Sequence, residues 1–382
     1  MGRLKIGVLA VLLLSATLRS IDGTVASSPC MIAYDDGAVL QSPDCAAEWV
    51  QFFQNSTQNC EFASLQGHRK YQEDRVSCNL GIHIPLIGKD ATNEAKVDLL
   101  AVFDGHGGIE ASEMATQHLL DYFLVHVSAR AFKKASNLDN HHDLITSTQR
   151  SRGVLLAIDD KYLHDILKEA LFGAIREIDR KFSMEAYKKG YSAGSTASVV
   201  LLLNNEELLV GNVGDSRVIL CAGYAEQLTH DHHPDRDDER ARIEVAGGFV
   251  LDWDVPRVNG ILAVSRAIGD VSLKRYGVIA EPEMVNWRNI TAKDRYLVVA
   301  SDGVFESLTP ENVCQLIEDA AVIQENGTPY DSFPSLPSFS LAYRIVKTAL
   351  ERGSTDNLSA IVVPLAKAPG EALVHKMSCD NA

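Results

Sequence analysis

An apolar run that ends in an aspartate and a cluster of glycines constrains the fold of this chain more than any other stretch. Residues 97–103 are almost entirely apolar and predict a buried strand. Asp104, Gly105 and His106 follow directly, and two more glycines come after them. Glycine lets the backbone bend sharply and approach a ligand closely, so this strand would deliver a carboxylate and an imidazole to a sheet edge. The alternative interpretation is an ordinary Asp-Gly turn.

Four other segments place an acidic residue beside small residues, at a strand end or in the turn next to it: Glu73, Asp215, Asp302 and Asp356. Together with Asp104 they are interpreted as one site. Carboxylates that converge repel one another unless cations neutralise them. A site with oxygen ligands alone favours Mg²⁺ or Mn²⁺ over zinc or copper, and because Mg²⁺ keeps several waters, a few carboxylates can serve two ions.

Such a site predicts a definite chemistry. A water held between two ions is acidified toward hydroxide and attacks phosphorus in line, while the metals and an arginine hold the phosphoryl oxygens. His106 lies two residues after Asp104, where an imidazole is placed to protonate a leaving alkoxide. The charged stretch that contains Arg69 and Glu73 has two interpretations: a solvated loop, or a phosphate-binding arginine beside a metal-binding glutamate.

Composition argues against several other classes of protein. The chain has 382 residues, enough for one large domain or two medium ones. Its net charge is −15 and no run of lysine and arginine stands out, so we predict no nucleic-acid partner. No CxxC motif is present, which argues against structural zinc. His230, His232 and His233 lack the usual spacing of a hydrolase zinc cluster and are interpreted as a polar loop before a helix.

The first 26 residues differ in kind from the rest. A short basic start, an apolar segment over residues 6–18 and then small residues are typical of a secretory signal peptide. The apolar segment is short for a transmembrane helix, which needs roughly 20 residues. We predict a signal peptide or a membrane anchor over residues 1–26, and hence the secretory pathway or a membrane. The alternatives are a chance apolar leader and a location in the cytosol or nucleus.

Cysteines and glycosylation sequences bear on the same question. Four of the seven cysteines lie in the first quarter of the chain, and in a secreted chain some of Cys30, Cys45 and Cys60 could pair. The odd total leaves at least one cysteine unpaired within a monomer. N-glycosylation sequences occur at three positions away from the predicted site: Asn55, Asn289 and Asn326. They matter only if the chain enters the secretory pathway.

Apolar periodicity predicts helices over residues 109–127, 162–182, 236–246, 311–320 and 341–350. Further strands are predicted over residues 196–203, 208–213, 218–222, 295–300 and 358–363. The first three of these are interpreted as one antiparallel meander. Residues 27–60 are expected to form a lead-in with short helical pieces, and residues 128–158 and 321–340 irregular insertions.

Seven short motifs occur in a recognisable order: residues 69–74, 102–108, 192–197, 211–217, 262–270, 300–303 and 355–357. Together they resemble the metal-dependent protein phosphatases of type 2C, the plant members above all. The resemblance implies an α+β fold, a four-layer αββα sandwich in which two antiparallel sheets lie between helix pairs. It places the phosphatase domain at residues 61–366, after the lead-in at 27–60 and before a C-terminal tail at 367–382.

The resemblance also implies which residues bind metal. Asp104 would bridge two ions, Mg²⁺ or Mn²⁺, and Gly105 would contribute its carbonyl oxygen. Glu73 would bind one ion, partly through water, while Asp302 and Asp356 would bind the other. A weaker third ion would lie at Asp215 and Glu306, although the family often carries aspartate where Glu306 stands. Three residues would support the site: Asp74, Thr196 and Asn357.

The function implied is hydrolysis of phosphoserine and phosphothreonine in protein substrates, by attack of a hydroxide that bridges the two metals. Arg69 would hold the substrate phosphate, and residues 229–253 correspond to a mobile flap beside the cleft. We expect a monomer. Two alternatives are a catalytically inactive member that acts as a binding module, and a hydrolase of small phosphoesters. An inactive member would be signalled by loss of a metal carboxylate, and none is missing.

Overall fold

A computed structural model describes residues 32–35, 38–41, 61–86, 93–138, 160–325 and 341–365. The strands are β1 Ile32–Asp35, β2 Ala38–Gln41, β3 Glu61–Leu65, β4 Arg75–Leu86, β5 Asn93–Phe103, β6 Gly105–His106, β7 Gly194–Ser195, β8 Ala197–Leu203, β9 Glu207–Val213, β10 Arg217–Cys221, β11 Ala225–Gln227, β12 Val250–Leu251, β13 Arg257–Val258, β14 Ile268–Gly269, β15 Glu283–Asn289, β16 Tyr296–Ala300 and β17 Leu358–Pro364. The helices are α1 Glu110–Leu138, α2 Asp160–Lys189, α3 Asp237–Val245, α4 Val271–Lys274, α5 Asp302–Phe305, α6 Pro310–Glu325 and α7 Leu341–Glu351.

Two five-stranded antiparallel sheets form the centre of the protein. The first sheet has the strand order β15-β9-β8-β5-β4, and the second has the order β11-β10-β16-β17-β3. Side chains of both sheets share one buried cluster, which includes Leu100 and Val200 from the first and Leu220 and Val299 from the second. Burial between the sheets explains why these strands read as continuous apolar runs.

Helices cover the outer face of each sheet. Successive side chains of a strand point to opposite faces, so Leu99 and Phe103 of β5 pack against α1 and α2 while Leu100 and Val102 face the second sheet. On the far side, α6 and α7 pack on the second sheet. The order of layers is therefore helices, sheet, sheet, helices, and the predicted α+β four-layer sandwich is confirmed.

The predicted three-stranded meander is wrong. Strands β8 and β9 form the expected hairpin in the first sheet, but β10 pairs with β11 and β16 in the second. The chain changes sheets at residues 214–216, where Gly214 has a φ of +99°. The Ser198 hydroxyl donates to the Ser216 carbonyl at 2.9 Å and secures the crossing. Asp215 therefore lies between the two sheets at one end of the sandwich, and not in a surface turn.

Two other local expectations need correction. The first long helix, α1, continues to Leu138 and does not end at residue 127, so residues 128–138 of the predicted insertion are helical. Ala131 lies in the core and continues the apolar face. In the predicted lead-in, the described residues form the antiparallel pair β1 and β2, and not helical pieces. Among the helices that the structure describes, none combines the length and apolar character that a bilayer span requires.

A small antiparallel sheet of three strands lies outside the two large ones, with the order β14-β7-β6. Each strand has only two residues. His106 pairs with Gly194, and Gly194 also pairs with Gly269. The small sheet therefore joins the segment after β5 to two segments that come much later in the chain.

A disulfide joins Cys221, at the end of β10, to Cys314 in α6. Both cysteines are buried, and the bond ties the second sheet to its covering helix. Sequence analysis did not anticipate this pair, because the expected disulfides involve Cys30, Cys45 and Cys60. Those three cysteines lie outside the described residues.

We predict that the double substitution Cys221→Ala and Cys314→Ala lowers the free energy of unfolding by about 2–5 kcal/mol, because a long loop then opens in the unfolded chain. The two cysteines are 93 residues apart, which places the effect toward the upper end of the range. Denaturant titration without a reducing agent measures it. In reducing buffer the parent protein should fall to the stability of the variant. Equal stability of the two proteins without reductant would contradict the prediction.

Candidate metal centre and active site

Three carboxylates converge at one end of the sandwich. Asp104 follows β5, Asp215 lies where the chain changes sheets, and Asp302 begins α5 after β16. One carboxylate oxygen of each lies within 4.8 Å of the others. Neighbouring strand ends in the two packed sheets bring these residues together although they are far apart in the sequence. For these three residues, the prediction that carboxylates from separate strand ends meet in space is confirmed.

Electrostatics makes this group a strong candidate for cations. Burial raises the pKa of Asp104 well above its ordinary value, and the negative charge of Asp302 raises it further. Burial raises the pKa of Asp215 to about 7, again with a contribution from Asp302. Because each charge disfavours the next, Asp104 and Asp215 keep their protons to higher pH than isolated aspartates do, unless a cation takes the place of the protons.

Asp74 supplies a second indication that a cation belongs here. Its Oδ1 atom is buried and has no hydrogen-bond partner among the described residues. Its Oδ2 accepts from the Ser301 hydroxyl at 2.9 Å. Burial raises the pKa of Asp74 to about 7, and the charges of Asp302 and Asp356 contribute in the same direction. A buried, unsatisfied carboxylate oxygen and an oxygen-only set of donors fit Mg²⁺ or Mn²⁺ and its waters.

Asn357 fastens the segment that carries Glu73. Its side-chain amide donates to the carbonyl oxygens of Gln66 and Tyr71 at 2.8 and 2.9 Å, and its Oδ1 accepts from the Glu73 amide at 2.8 Å. The Glu73 carboxylate accepts from the Gly108 amide at 2.8 Å. Glu73 therefore lies beside the loop that follows Asp104, but it is not one of the three clustered carboxylates.

Close backbone packing explains the glycine after Asp104. A Cβ atom on Gly105 would lie 2.3 Å from the Glu73 carbonyl oxygen and 2.8 Å from the Ser112 hydroxyl. The Ser112 hydroxyl itself donates to that carbonyl at 2.6 Å. Only glycine lets the backbone at position 105 approach the Glu73 backbone this closely, so packing alone requires glycine here.

Arg69 is paired with Asp356 in this structure. The guanidinium Nη2 lies 2.5 Å from Asp356 Oδ2, and about half of the arginine side chain (53%) is exposed. Burial raises the pKa of Asp356 to about 6, Asp302 adds to the rise, and Arg69 opposes it. The predicted phosphate-binding arginine and the predicted metal ligand are thus in direct contact.

The two residues proposed for a third ion lie in different settings. Asp215 joins Asp104 and Asp302, as described above. Glu306 accepts from the Ser354 hydroxyl at 3.0 Å and the Thr355 amide at 2.8 Å, and so holds the turn before Asp356. Its part in a third metal site stays a prediction.

Thr196 connects two of the clustered aspartates. Its hydroxyl accepts from the Asp104 amide at 3.0 Å, and its own amide donates to the Asp104 carbonyl at 2.9 Å. The same hydroxyl lies 2.9 Å from that of Ser216, next to Asp215. The threonine therefore links the end of β5 to the crossing between the sheets. Its supporting role in the reaction stays a prediction.

His106 has a partner that sequence analysis did not single out. Its Nε2 lies 2.7 Å from Oδ2 of Asp270. Burial alone would lower the pKa of His106, but the hydrogen bond and charge of Asp270 outweigh burial and raise it. Asp270 is the last residue of one of the motifs that carry the resemblance, but it lies 164 positions after His106, and sequence spacing does not reveal the contact.

The protein phosphatase 2C family model matches residues 60–358. The chain belongs to the protein phosphatase 2C family. It is 36% identical to "Probable protein phosphatase 2C 51" of Arabidopsis thaliana over 89% of this chain and 78% of that protein. It is 37% identical to "Putative protein phosphatase 2C 76" of Oryza sativa subsp. japonica over 94% of this chain and 88% of that protein. The predicted likeness to plant members is confirmed.

Solved structures agree on the fold. A serine-threonine phosphatase 2C from Toxoplasma gondii superposes with a TM-score of 0.60 at 22% identity, over 79% of this chain and 93% of that one. A C. elegans sex determining protein superposes with a TM-score of 0.58 at 26% identity, over 81% of this chain and 65% of that one. The protein is thus a metal-dependent protein serine/threonine phosphatase of type 2C.

The segment that the resemblance assigns to the flap of the phosphatase is anchored through buried polar groups. His232 is fully buried; its Nδ1 accepts from the Gly214 amide at 3.1 Å and its Nε2 lies 3.1 Å from Glu283. Burial lowers the pKa of His232 to about 4. Gly214, which His232 contacts, is the residue before Asp215. The start of the flap segment is therefore attached to the backbone beside the metal centre.

A buried glutamate holds the helix of this flap, α3. Burial alone would raise the pKa of Glu239, but hydrogen bonds from Arg242, Arg266 and Ser265 lower it below its ordinary value. The helix begins at Asp237, with Arg236 at its N-cap, and ends at Val245, within the predicted range of residues 236–246. These contacts attach the flap of the phosphatase to the segment that leads to Asp270.

We predict that Mn²⁺ raises the melting temperature of the phosphatase, and that the rise is larger at pH 8 than at pH 5. The pKa values of Asp215 and Asp356 are raised to about 7 and 6, so both residues bind protons more tightly in the folded state than in the unfolded state. Protonation at low pH therefore stabilises the folded, metal-free protein. It loses that stability as pH rises through 6–7, and a bound cation offsets the loss. Thermal denaturation with and without Mn²⁺ measures the shift.

The matched variants are Asp302→Asn, which should remove most of the Mn²⁺-induced shift, and Asp319→Asn, an exposed aspartate of α6 that should retain it. A shift of the same size at pH 5 and pH 8, or its retention in Asp302→Asn, would be inconsistent with the proposed centre.

Proposed function

We propose that the clustered carboxylates hold two divalent ions, Mg²⁺ or Mn²⁺, in the phosphatase. Asp104 and Asp302 are central to the set, with Glu73 and Asp356 at its borders and Asp215 available for a weaker third ion. The observation that carries this proposal is the approach of three carboxylates from separate strand ends to within 4.8 Å. When bound, the ions supply charge that neutralises the phosphoryl oxygens and Lewis acidity that activates water.

The residues of this chain have separate tasks in that reaction. Arg69 binds phosphoryl oxygens, for which its exposed guanidinium has donors free beyond its contact with Asp356. His106 protonates the serine or threonine oxygen as it leaves, and its partner Asp270 favours the protonated imidazole. Asn357 and Thr196 hold the segments that bear Glu73 and Asp104, so that the carboxylates do not move apart.

The substrate class is phosphoserine and phosphothreonine in proteins, and the protein acts as a monomer. Family membership supports this choice over small phosphoesters, and the full set of predicted carboxylates supports activity over an inactive binding module. Purified protein should hydrolyse a phosphothreonine peptide with Mn²⁺ and lose that activity in excess EDTA. Activity that persists in EDTA would remove the metal-dependent mechanism, and a preference for sugar phosphates would favour the alternative substrate class.

We infer that the phosphatase domain lies in the secretory pathway or outside the cell. The basic, apolar and small-residue order of residues 1–26 supports this location. The Cys221–Cys314 disulfide supports it too, because disulfides persist in oxidising compartments and are rare in the cytosol. Asn289, an acceptor for N-glycans, is exposed at the end of β15. Asn357 also stands in an acceptor sequence, but its amide is buried and hydrogen-bonded.

Expression in a eukaryotic cell tests this location. We expect the gel mobility of the protein to increase when N-glycans are removed enzymatically, and the Asn289→Gln variant to lose part of that change. Asn357 should carry no glycan by peptide mass spectrometry. A full-length, unglycosylated protein recovered from the cytosol, with Cys221 and Cys314 reduced, would refute the location and leave the phosphatase activity as it stands.

A further inference from the structure

We propose that Asp270 is a positioning residue of the phosphatase, and that it orients the His106 imidazole toward the leaving group of the substrate. The proposal rests on the role assigned above to His106 as the proton donor. It adds a residue that, among the described residues, has no hydrogen bond or ion pair with the predicted ligand set, and that acts through the histidine.

Contact geometry is the first support. His106 Nε2–H donates to Asp270 Oδ2 at 2.7 Å, a short distance for a bond between nitrogen and oxygen. The Asp270 side chain is only 9% exposed, whereas that of His106 is 30% exposed. One end of the imidazole is thus held inside the protein. No hydrogen bond among the described residues occupies Nδ1, so that atom is available to donate a proton.

The small sheet supplies the second support. Its central strand, β7, pairs with both outer strands, and Gly194 is opposite His106 on one side and Gly269 on the other. Asp270 follows Gly269 directly and donates its amide to the Ala193 carbonyl at 3.1 Å. Strands β6 and β14 have no other neighbour in this sheet. The pairing of both outer strands with β7 therefore brings His106 and Asp270 next to each other across Gly194.

Gly194 provides the space in which the two side chains meet. A Cβ atom at this position would lie 2.0 Å from Asp270 Oδ2 and 2.4 Å from His106 Nε2. Both distances are far below van der Waals contact, so the carboxylate and the imidazole occupy the volume that any other residue would fill. The pair thus packs directly over the glycine, which limits how far either side chain can rotate.

The backbone of Asp270 is held in an uncommon conformation. Its φ is +47°, in the left-handed region that non-glycine residues rarely adopt. Asp179 of α2 accepts from the Gly269 amide at 2.9 Å and pairs with Lys274 at 2.8 Å, which secures the turn on both sides of Asp270. The neighbouring turn thus holds Asp270 in a rare backbone conformation while its carboxylate bonds the His106 imidazole. Such a combination is typical of a functional constraint.

A positioned proton donor has a signature that a structural residue lacks. Threonine is a poor leaving group and needs a proton, whereas p-nitrophenolate leaves readily without one. Misplacing the donor should therefore slow hydrolysis of a phosphothreonine peptide far more than that of p-nitrophenyl phosphate. The informative quantity is the ratio of the two kcat values, measured at saturating Mn²⁺.

We expect Asp270→Asn to lower this ratio by about 10–100-fold, and His106→Gln to lower it by as much or more. Gly194→Ala, which pushes the pair apart, should act in the same direction. In the double variant Asp270→Asn and His106→Gln the ratio should fall no further than in His106→Gln alone, because the two residues act as a unit. Asp319→Asn is the control and should keep the parent ratio.

Other outcomes would overturn the proposal. If Asp270→Asn leaves the ratio unchanged while His106→Gln lowers it, the histidine is the donor without help from Asp270. An equal loss on both substrates, together with a smaller Mn²⁺-induced rise in melting temperature, would make Asp270 a structural residue of the metal centre. An unchanged ratio in His106→Gln would remove the premise as well, and the proton donor would lie elsewhere.

Discussion

Repulsion among buried carboxylates is the constraint on which the rest of this structure depends. Asp104, Asp215 and Asp302 lie at one end of the sandwich, where burial and mutual charge raise the pKa of the first two. Such a group disfavours the folded state when no cation is present. Apolar packing between the two sheets and beneath the helices supplies the stability that keeps these groups together.

Neutral polar groups set the position of each charged one. Thr196 bonds the backbone of Asp104, Ser301 bonds Asp74, and Asn357 bonds the backbone of the loop that ends at Glu73. These groups add no charge, so they hold the carboxylates without neutralising them. The carboxylates therefore still need a cation to neutralise their charge. Neutral hydrogen bonds can thus make the scaffold stable while the site keeps its affinity for metal.

Local sequence patterns predicted much of this arrangement, and the failures share one cause. Apolar runs that end in Asp104 or Asp302 identified strands and the carboxylates at their ends. The pattern around Asp215 could not show that the chain changes sheets there, because both sheets bury similar side chains. The Cys221–Cys314 bond and the contact of His106 with Asp270 join residues 93 and 164 positions apart. Partners this distant depend on topology, and spacing along the chain does not reveal them.

Among the strands that the structure describes, β3 lies at an edge of the second sheet and pairs with β17. Leu65 of β3 pairs with Leu358 of β17, just beside Arg69 and Asp356. A ribosome makes β3 early and β17 near the end of the domain. The growing chain already contains Asp104 and Asp215 but lacks the strand that completes the sheet beside them. Completion of the sheet beside these carboxylates, and the arrival of Asp356 itself, therefore require the last strand of the domain.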